Sequence, residues 1–378
     1  MALEFLSAKI NNDARIFPLQ FYEEKVRQKK LIVSILKQLF TLESSALTRK
    51  FSPYFFILLI FVTTVLLYSY AQNMWQLEKY SVSIAVAKSP LSAPFYVAKS
   101  INAFEDTCVN VEYDEVIGGQ RAFGKVMSGK TDFGTSSGSI IAYESLAKKS
   151  FVTHAMFVQS DNDVKLMTRT SVNINSVLDL KGMKIGVIKA TASDYFLSTI
   201  LAMEGLSVED VELYHYKPEQ LINAFINNKV DVIVPWEPFA FNAATSLKQM
   251  VKMHNTKSLN TLSFHLISQH ADSLLLAKAT CVIQGLSTAI DYIALNPEKS
   301  KKIVKDELNL TSAFIDWVWA DYIFKLGLNQ SLILKIKSQA TWAIEMEMTP
   351  YTELSNIDDF IDSRAMLQVK PGAVNIPL

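Results

Sequence analysis

The sequence predicts an α/β protein of two doubly wound lobes joined by a hinge, with one N-terminal transmembrane helix ahead of them. Three observations carry this reading. Strand-like and helix-like segments alternate with short connections after Tyr80, the alternation restarts at Val164, and an uncharged apolar run fills Pro53–Ala71. Such alternation argues for βαβ units and a parallel sheet. A chain of 378 residues has room for two domains or one two-lobed unit, with enough core to fold without staples.

The apolar run, PYFFILLIFVTTVLLYSYA, carries no charge and has about the length that crosses a bilayer. Residues 53–72 are therefore read as a transmembrane helix. Lys25, Arg27, Lys29, Lys30, Lys37, Arg49 and Lys50 precede it, whereas only the pair Glu78-Lys79 follows closely. This basic excess puts residues 1–52 in the cytoplasm and everything after residue 72 outside. Ser69-Tyr70-Ala71 also meets the small-residue rule for signal cleavage. The arm before it, about fifty residues, is much longer than an ordinary n-region, so a retained anchor is the favoured reading. Within the arm, Phe21–Leu42 reads as a basic amphipathic helix, either lying on the inner leaflet or packing in the cytoplasm on itself or a partner.

Beyond the membrane segment, Ser81–Ala87 alternates like a strand, and Pro94–Phe104 reads as a helix with proline in its first turn. Val109–Val116, Thr131–Gly134 and Phe151–Gln159 are further strands, with helices between them after Gly118-Gly119 and from Ser139 to Ala147. These make lobe 1, residues 81–160. The pattern restarts with Val164–Arg169 and continues through strands at Met183–Ile188 and Val230–Val234, making lobe 2, residues 163–258. Thr261–Gln269 is a last strand, after which the chain reads as helices: Asp272–Leu295, Pro297–Leu308, Thr311–Leu326 and Leu332–Met346. Residues 262–360 are expected to return to lobe 1, with hinges near Ser160–Asn162 and Leu259–Leu262.

Composition excludes several functions. Apolar residues make up 49% and charged residues 20%, a globular balance. With 37 basic and 37 acidic residues, the chain offers no general attraction to nucleic acid. Cys108 and Cys281 are its two cysteines; they are read as separate buried thiols, their pairing left open. No CxxC or HExxH spacing occurs, and the five histidines are scattered, so neither metal nor cofactor is expected. Gly134-Thr135-Ser136-Ser137-Gly138 resembles a nucleophile turn only superficially, since nothing marks a partner base. The chain is not expected to be an enzyme.

Several segments together resemble one family. These are strand 81–87 followed by Pro94-Phe95-Tyr96-Val97-Ala98, then Met127-Ser128-Gly129-Lys130-Thr131-Asp132-Phe133-Gly134, then Val177-Leu178-Asp179-Leu180-Lys181-Gly182-Met183-Lys184-Ile185-Gly186-Val187. Asn227–Val232 and Pro235-Trp236-Glu237-Pro238 complete the pattern, in order, over roughly residues 81 to 350. The whole is similar to periplasmic substrate-binding proteins of ABC importers, in the branch that handles nitrate, taurine and other sulfonates, and thiamine pyrimidine precursors. The resemblance implies a type II periplasmic-binding-protein fold, a bacterial inner-membrane location with the binding domain outside, and an ABC permease and ATPase as partners. The sequence departs from the family in its transmembrane segment. It also lacks the cysteine-rich motif of the related pyrimidine-synthesis enzymes, which counts against that branch.

A receptor of this kind must hold a small polar molecule at strand ends and helix starts. Candidate contacts in lobe 1 are Ser92, Pro94, Phe95, Gly119, Gln120, Thr135, Ser136 and Ser137. In lobe 2 they are Thr191, Ser193, Trp236 and Glu237. The hydroxyls can cap their helices and meet a ligand as well. Trp236 either stacks on a ligand or packs under its loop, and Glu237 either pairs with a ligand amine or forms a solvated helix start. Lys88, Arg121 and Lys189 follow strands and complement an anion, unless they are simply surface residues. The expected function is a membrane-anchored solute-binding protein that captures a sulfonate, zwitterion or pyrimidine-like ligand for an ABC importer. The alternative is a ligand-sensing module that passes occupancy through its transmembrane helix to a separate signalling partner.

Overall fold

Eight residues of largely apolar, β-branched character, Tyr80–Ala87, open the fold as strand β1. The computed structural model describes residues 79–257 and 259–376. The transmembrane segment 53–72 and the arm 1–52 lie outside the described residues. From Ser81 onward the chain forms one compact unit.

After β1 come α1 (Ala93–Ser100), β2 (Val109–Val116), α2 (Gly119–Met127), β3 (Phe133–Ser137), α3 (Gly138–Leu146) and β4 (Val152–Ser160). The chain then crosses into β5 (Leu166–Arg169), β6 (Lys184–Val187), α4 (Ala192–Met203), β7 (Glu212–His215), α5 (Pro218–Ile226), β8 (Val232–Ile233), α6 (Phe239–Leu247) and β9 (Val251–His254). It returns as β10 (Leu262–Ser268), α7 (Ser273–Leu295), α8 (Pro297–Leu308), α9 (Ser312–Trp319), β11 (Tyr322–Asn329), α10 (Gln330–Glu345), α11 (Arg364–Val369) and β12 (Val374–Asn375). Seven strands pair in the order β12-β11-β4-β10-β3-β1-β2, and five in the order β7-β6-β8-β5-β9. These two sheets are the frames of two lobes.

The sheets are mixed, not parallel as the alternation suggested. β1 and β3 run parallel, but β10 is antiparallel to both β3 and β4. In the second sheet β6 is parallel to β7 and β8, while β5 is antiparallel to β8 and β9. Connectivity explains this. β5 and β10 are each the first strand after the chain passes from one sheet to the other, so neither enters its sheet through the long crossover that a parallel neighbour needs.

A second correction concerns Thr311–Leu326, read above as one helix. The helix stops at Trp319, and Tyr322–Asn329 is a strand antiparallel to β4, with Tyr322 opposite Ser160 and Phe324 opposite Val158. A short apolar run cannot be assigned by periodicity alone, and here the open edge of β4 decides it. A third concerns the cysteines. Cys108 and Cys281 form a disulfide whose Cα atoms lie 5.7 Å apart, the ordinary span. It ties the start of β2 to the middle of α7.

Each lobe has its own apolar centre. In the first, Phe95 packs edge-on against Phe157 and Tyr113, at centroid distances of 4.9 and 6.0 Å. In the second, Met167, Leu221, Phe225, Val230 and Ile233 are fully buried together. Helix α7 is long and apolar enough to cross a membrane, yet 56% of its most apolar window is buried inside the fold. It is a core helix.

Candidate functional site

Five helices begin around one cavity of about 380 Å³ between the lobes. Gly119–Arg121 starts α2, Ser137 caps α3, Thr191 and Ala192 start α4, Lys217 and Pro218 start α5, and Pro238 and Phe239 start α6; all line it. The first turn of each helix leaves backbone N–H groups without intrahelical partners and carries partial positive charge. Converging five such ends makes a cradle for an anionic or strongly polar group. Apolar walls come from Leu91, Ile117, Ile140, Ile188, Leu262 and Phe264.

Local backbone chemistry explains how these ends approach so closely. Gly118 has φ +78°, a conformation that side chains rarely adopt. A Cβ on Gly119 would stand 3.1 Å from the Phe264 ring and from the Ser137 nitrogen, so α2 reaches the wall only because residue 119 lacks one. On the other lobe, Ala190 takes φ +58° in the turn before α4. Its N–H donates to Asp194 Oδ2 at 3.1 Å, which holds a conformation that costs about 1–2 kcal/mol.

The hydroxyls are largely committed to the protein. Thr135 Oγ1 accepts the Ala87 N–H at 2.8 Å, and Ser92 Oγ donates to the Ala87 carbonyl at 2.8 Å. Ser193 Oγ donates to the Val234 carbonyl at 2.5 Å and accepts the Ile188 N–H at 3.1 Å. Thr191 Oγ1 donates to the Ile188 carbonyl at 2.6 Å and accepts the Ser193 N–H. Ser137 Oγ accepts the Ile140 N–H and bonds Ser139 Oγ at 2.9 Å.

Of the twelve candidate contacts, Gly119, Gln120, Ser137, Thr191, Trp236 and Glu237 stand on the cavity wall. Ser92, Pro94, Phe95, Thr135, Ser136 and Ser193 are buried elsewhere, off that wall. They shape the strand ends and helix starts from behind. Trp236 lines the cavity while packing on the second lobe's core and edge-on to Phe239 at 6.3 Å. Lys88 and Arg121 also reach the wall, each in an ion pair: Lys88 with Glu115 at 3.4 Å and Arg121 with Glu219 at 2.9 Å.

Sequence reasoning named Glu237 but missed its acidic neighbour, Asp163. The crossing segment pairs with the Trp236 loop: the Glu237 N–H donates to the Asp163 carbonyl at 3.2 Å and the Lys165 N–H to the Pro235 carbonyl at 2.9 Å. That pairing sets Asp163 beside Glu237, and both line the cavity at only 2% exposure. Glu237 Oε1 accepts the Trp317 indole N–H at 2.7 Å and Oε2 the Phe241 N–H at 2.9 Å. Asp163 Oδ1 accepts the Tyr322 hydroxyl at 2.5 Å. Burial pushes the Asp163 carboxyl up to about 7 and raises Glu237 as well, while Lys165 beside them is lowered by burial. Asp163 sits in Ser160-Asp161-Asn162-Asp163, which reads as a solvated hinge; its place just before an apolar strand was the available signal.

His154 and His265 are fully buried in the first sheet, bonded to Ser268 and Ser263 Oγ at 2.7 and 2.9 Å. Burial lowers them to about 4 and about 3, so both are neutral. Among the described residues no His, Cys, Asp and Glu side chains group as metal ligands.

Among solved structures, the chain is similar to the periplasmic aliphatic sulphonate binding protein SsuA from Escherichia coli. The TM-score is 0.64 at 19% identity, covering 75% of this chain and 92% of that one. The alkanesulfonate-binding protein SsuA from Xanthomonas axonopodis pv. citri, bound to MOPS, gives 0.64 at 18% identity, covering 76% of this chain and 99% of that one. A Brucella abortus (strain 2308) protein designated a binding protein is 26% identical over 145 residues, 37% of this chain and 46% of that one. The chain thus spans about half the length of the curated relatives it matches. The architecture is the two-lobed type II periplasmic-binding-protein fold. A family model described as NMT1/THI5 like matches residues 89–300, more than half of the chain, and the chain belongs to that family.

Proposed function

We propose that this protein is an extracytoplasmic solute receptor that captures a small organic ligand between its lobes and delivers it to an ABC importer. The observation that carries the reading is the convergence of five helix starts, from both lobes, on one cavity. Its volume suits a molecule of the size of MOPS, the compound bound by the Xanthomonas relative. A sulfonate, a small zwitterion or a pyrimidine-like heterocycle fits a site that is polar at helix starts and apolar along its walls. Lobe closure about the crossings that follow β4 and β9 would bury the ligand. The Cys108–Cys281 disulfide agrees with an oxidising compartment, and residues 53–72 would keep the receptor at the membrane.

A thermal-shift panel on the full-length chain in mild detergent tests this. A ligand at a hundred times its Kd adds about 2.7 kcal/mol to the folded state, a shift of several degrees. We expect a hit among sulfonates, zwitterions or pyrimidines. A panel without any shift would remove the receptor reading.

A further inference from the structure

We propose that Asp163 receives a protonated nitrogen of the bound molecule, so that the cavity selects a zwitterion: its anionic group at the helix starts, its cation at the hinge. This rests on the reading of the interlobe cavity as the ligand site. A buried carboxylate is costly unless its oxygens are bonded and its charge is met. Glu237 has a donor on each oxygen and could take a ligand only by sharing one. Asp163 stands on the same wall with Oδ1 occupied by Tyr322, while its Oδ2 is buried and has no hydrogen-bond partner.

Charge points the same way. Lys165 is the buried cation beside the two carboxylates, and its Nζ donates to the Asn162 carbonyl while lying 6.0 Å from the Trp317 ring centroid. The neighbouring Asp321 has its own partners, Lys257 at 2.9 Å and Asn162 Nδ2 at 2.7 Å. Among the described residues, one lysine therefore faces Asp163 and Glu237 together. A ligand ammonium, or a protonated ring nitrogen, supplies both the missing donor and the missing charge. Trp236 on the same wall adds an aromatic ring suited to a cation. The opposite arrangement, a neutral Asp163 donating its proton to a ligand acceptor, requires no cation and would favour an uncharged group there.

Isothermal titration calorimetry on the full-length chain separates the two, with 3-aminopropanesulfonate and 3-hydroxypropanesulfonate as matched probes. The pair differs only in the group offered to Asp163. We expect the amino probe to bind about tenfold tighter or more, as for a hydrogen bond to a charged partner. Asp163→Asn keeps an acceptor for the Tyr322 hydroxyl and should bring the ratio of affinities to about one. Equal affinities in the unaltered protein, or a preference for the hydroxy probe, would overturn the proposal and leave the cavity as the ligand site. Parallel weakening of both probes in Asp163→Asn would also overturn it, since that marks a structural role. Binding of neither probe would remove the anion-cradle reading and this proposal with it. Should Asp163→Asn not fold, a crystal structure with the amino probe decides: a nitrogen about 3 Å from Oδ2 supports the proposal, and any other position overturns it.

Discussion

The two lobes bury polar groups differently. In the first, the fully buried polar side chains are neutral, with Thr135, His154, His265 and Ser268 bonded within the sheet to backbone or hydroxyl groups, and the buried carboxylate there, Asp362 at 8% exposure, is met by Arg364. In the second and its hinge, the buried polar groups include charges: Asp163, Lys165, Asp194 and Glu237, all at 4% exposure or less. Neutral groups in mutual hydrogen bonds are cheap to bury and serve the fold. Charges are expensive to bury and persist where a partner or a ligand meets them. The first lobe is thus a platform and the second a jaw.

The disulfide gives the sharpest test of that division, because it belongs to the first lobe alone. It closes a loop of 173 residues, and removing a native crosslink costs about 2–5 kcal/mol, with chain entropy placing so long a loop at the top of that range. The double variant Cys108→Ser with Cys281→Ser should lose that much stability in urea unfolding, yet bind ligand normally at temperatures where it remains folded. A tenfold loss of affinity in the folded variant would show that the platform is coupled to the site.

Protonation breaks the comparison more gently. Asp163 titrates near 7 in the fold, against an ordinary value of 3.8. Between those values the folded protein holds a proton that the unfolded chain has released, so stability falls as pH rises. The contribution is complete below the ordinary value and is lost on passing the folded one. One group sets a slope of at most about 1.4 kcal/mol per pH unit. His154 and His265 act in the opposite sense: their contribution is complete above 6.5 and is lost as pH falls toward their folded values. Asp163→Asn should therefore gain stability on the unaltered protein as pH climbs from 5 to 8, read from urea midpoints. Parallel midpoint curves would mean that Asp163 is ionised in the folded protein throughout that range.

Why the platform was legible in the sequence and the jaw only half so follows from the same contrast. Platform strands such as Ser81–Ala87 announce themselves by β-branching and alternation, and Pro94 marks a helix start through its own geometry. The Trp236–Pro238 loop and Thr191 stood out because strand ends and helix caps are local features. Asp163 did not, because its burial depends on Tyr322, 159 residues away, on a strand that itself read as helix. Cys108 and Cys281 were hidden for the same reason. Hydroxyls carry less information: Thr135 and Ser193 have the chemistry of ligand contacts, and in the fold they also tie their segments to neighbouring strand ends, at Ala87 and Val234.

The smallest expected effect lies at the rim, where the lobes touch. Arg121 on α2 and Glu219 on α5 pair at 2.9 Å, with side chains 51% and 40% exposed. An exposed pair of this kind is worth about 0.2–1 kcal/mol. Because it joins the two lobes, that energy favours the closed arrangement and not either lobe alone, so it reaches the ligand as a shift in population. Arg121→Gln and Glu219→Gln should each weaken ligand binding by about two- to fivefold, and the double variant no further. The loss should fade at high salt, which screens exposed charges. Should Arg121 instead touch the ligand's anionic group, Arg121→Gln would weaken binding far more than Glu219→Gln, and the cycle would become additive. Titrations of the three variants at low and high salt distinguish a latch between platform and jaw from a contact made by the platform itself.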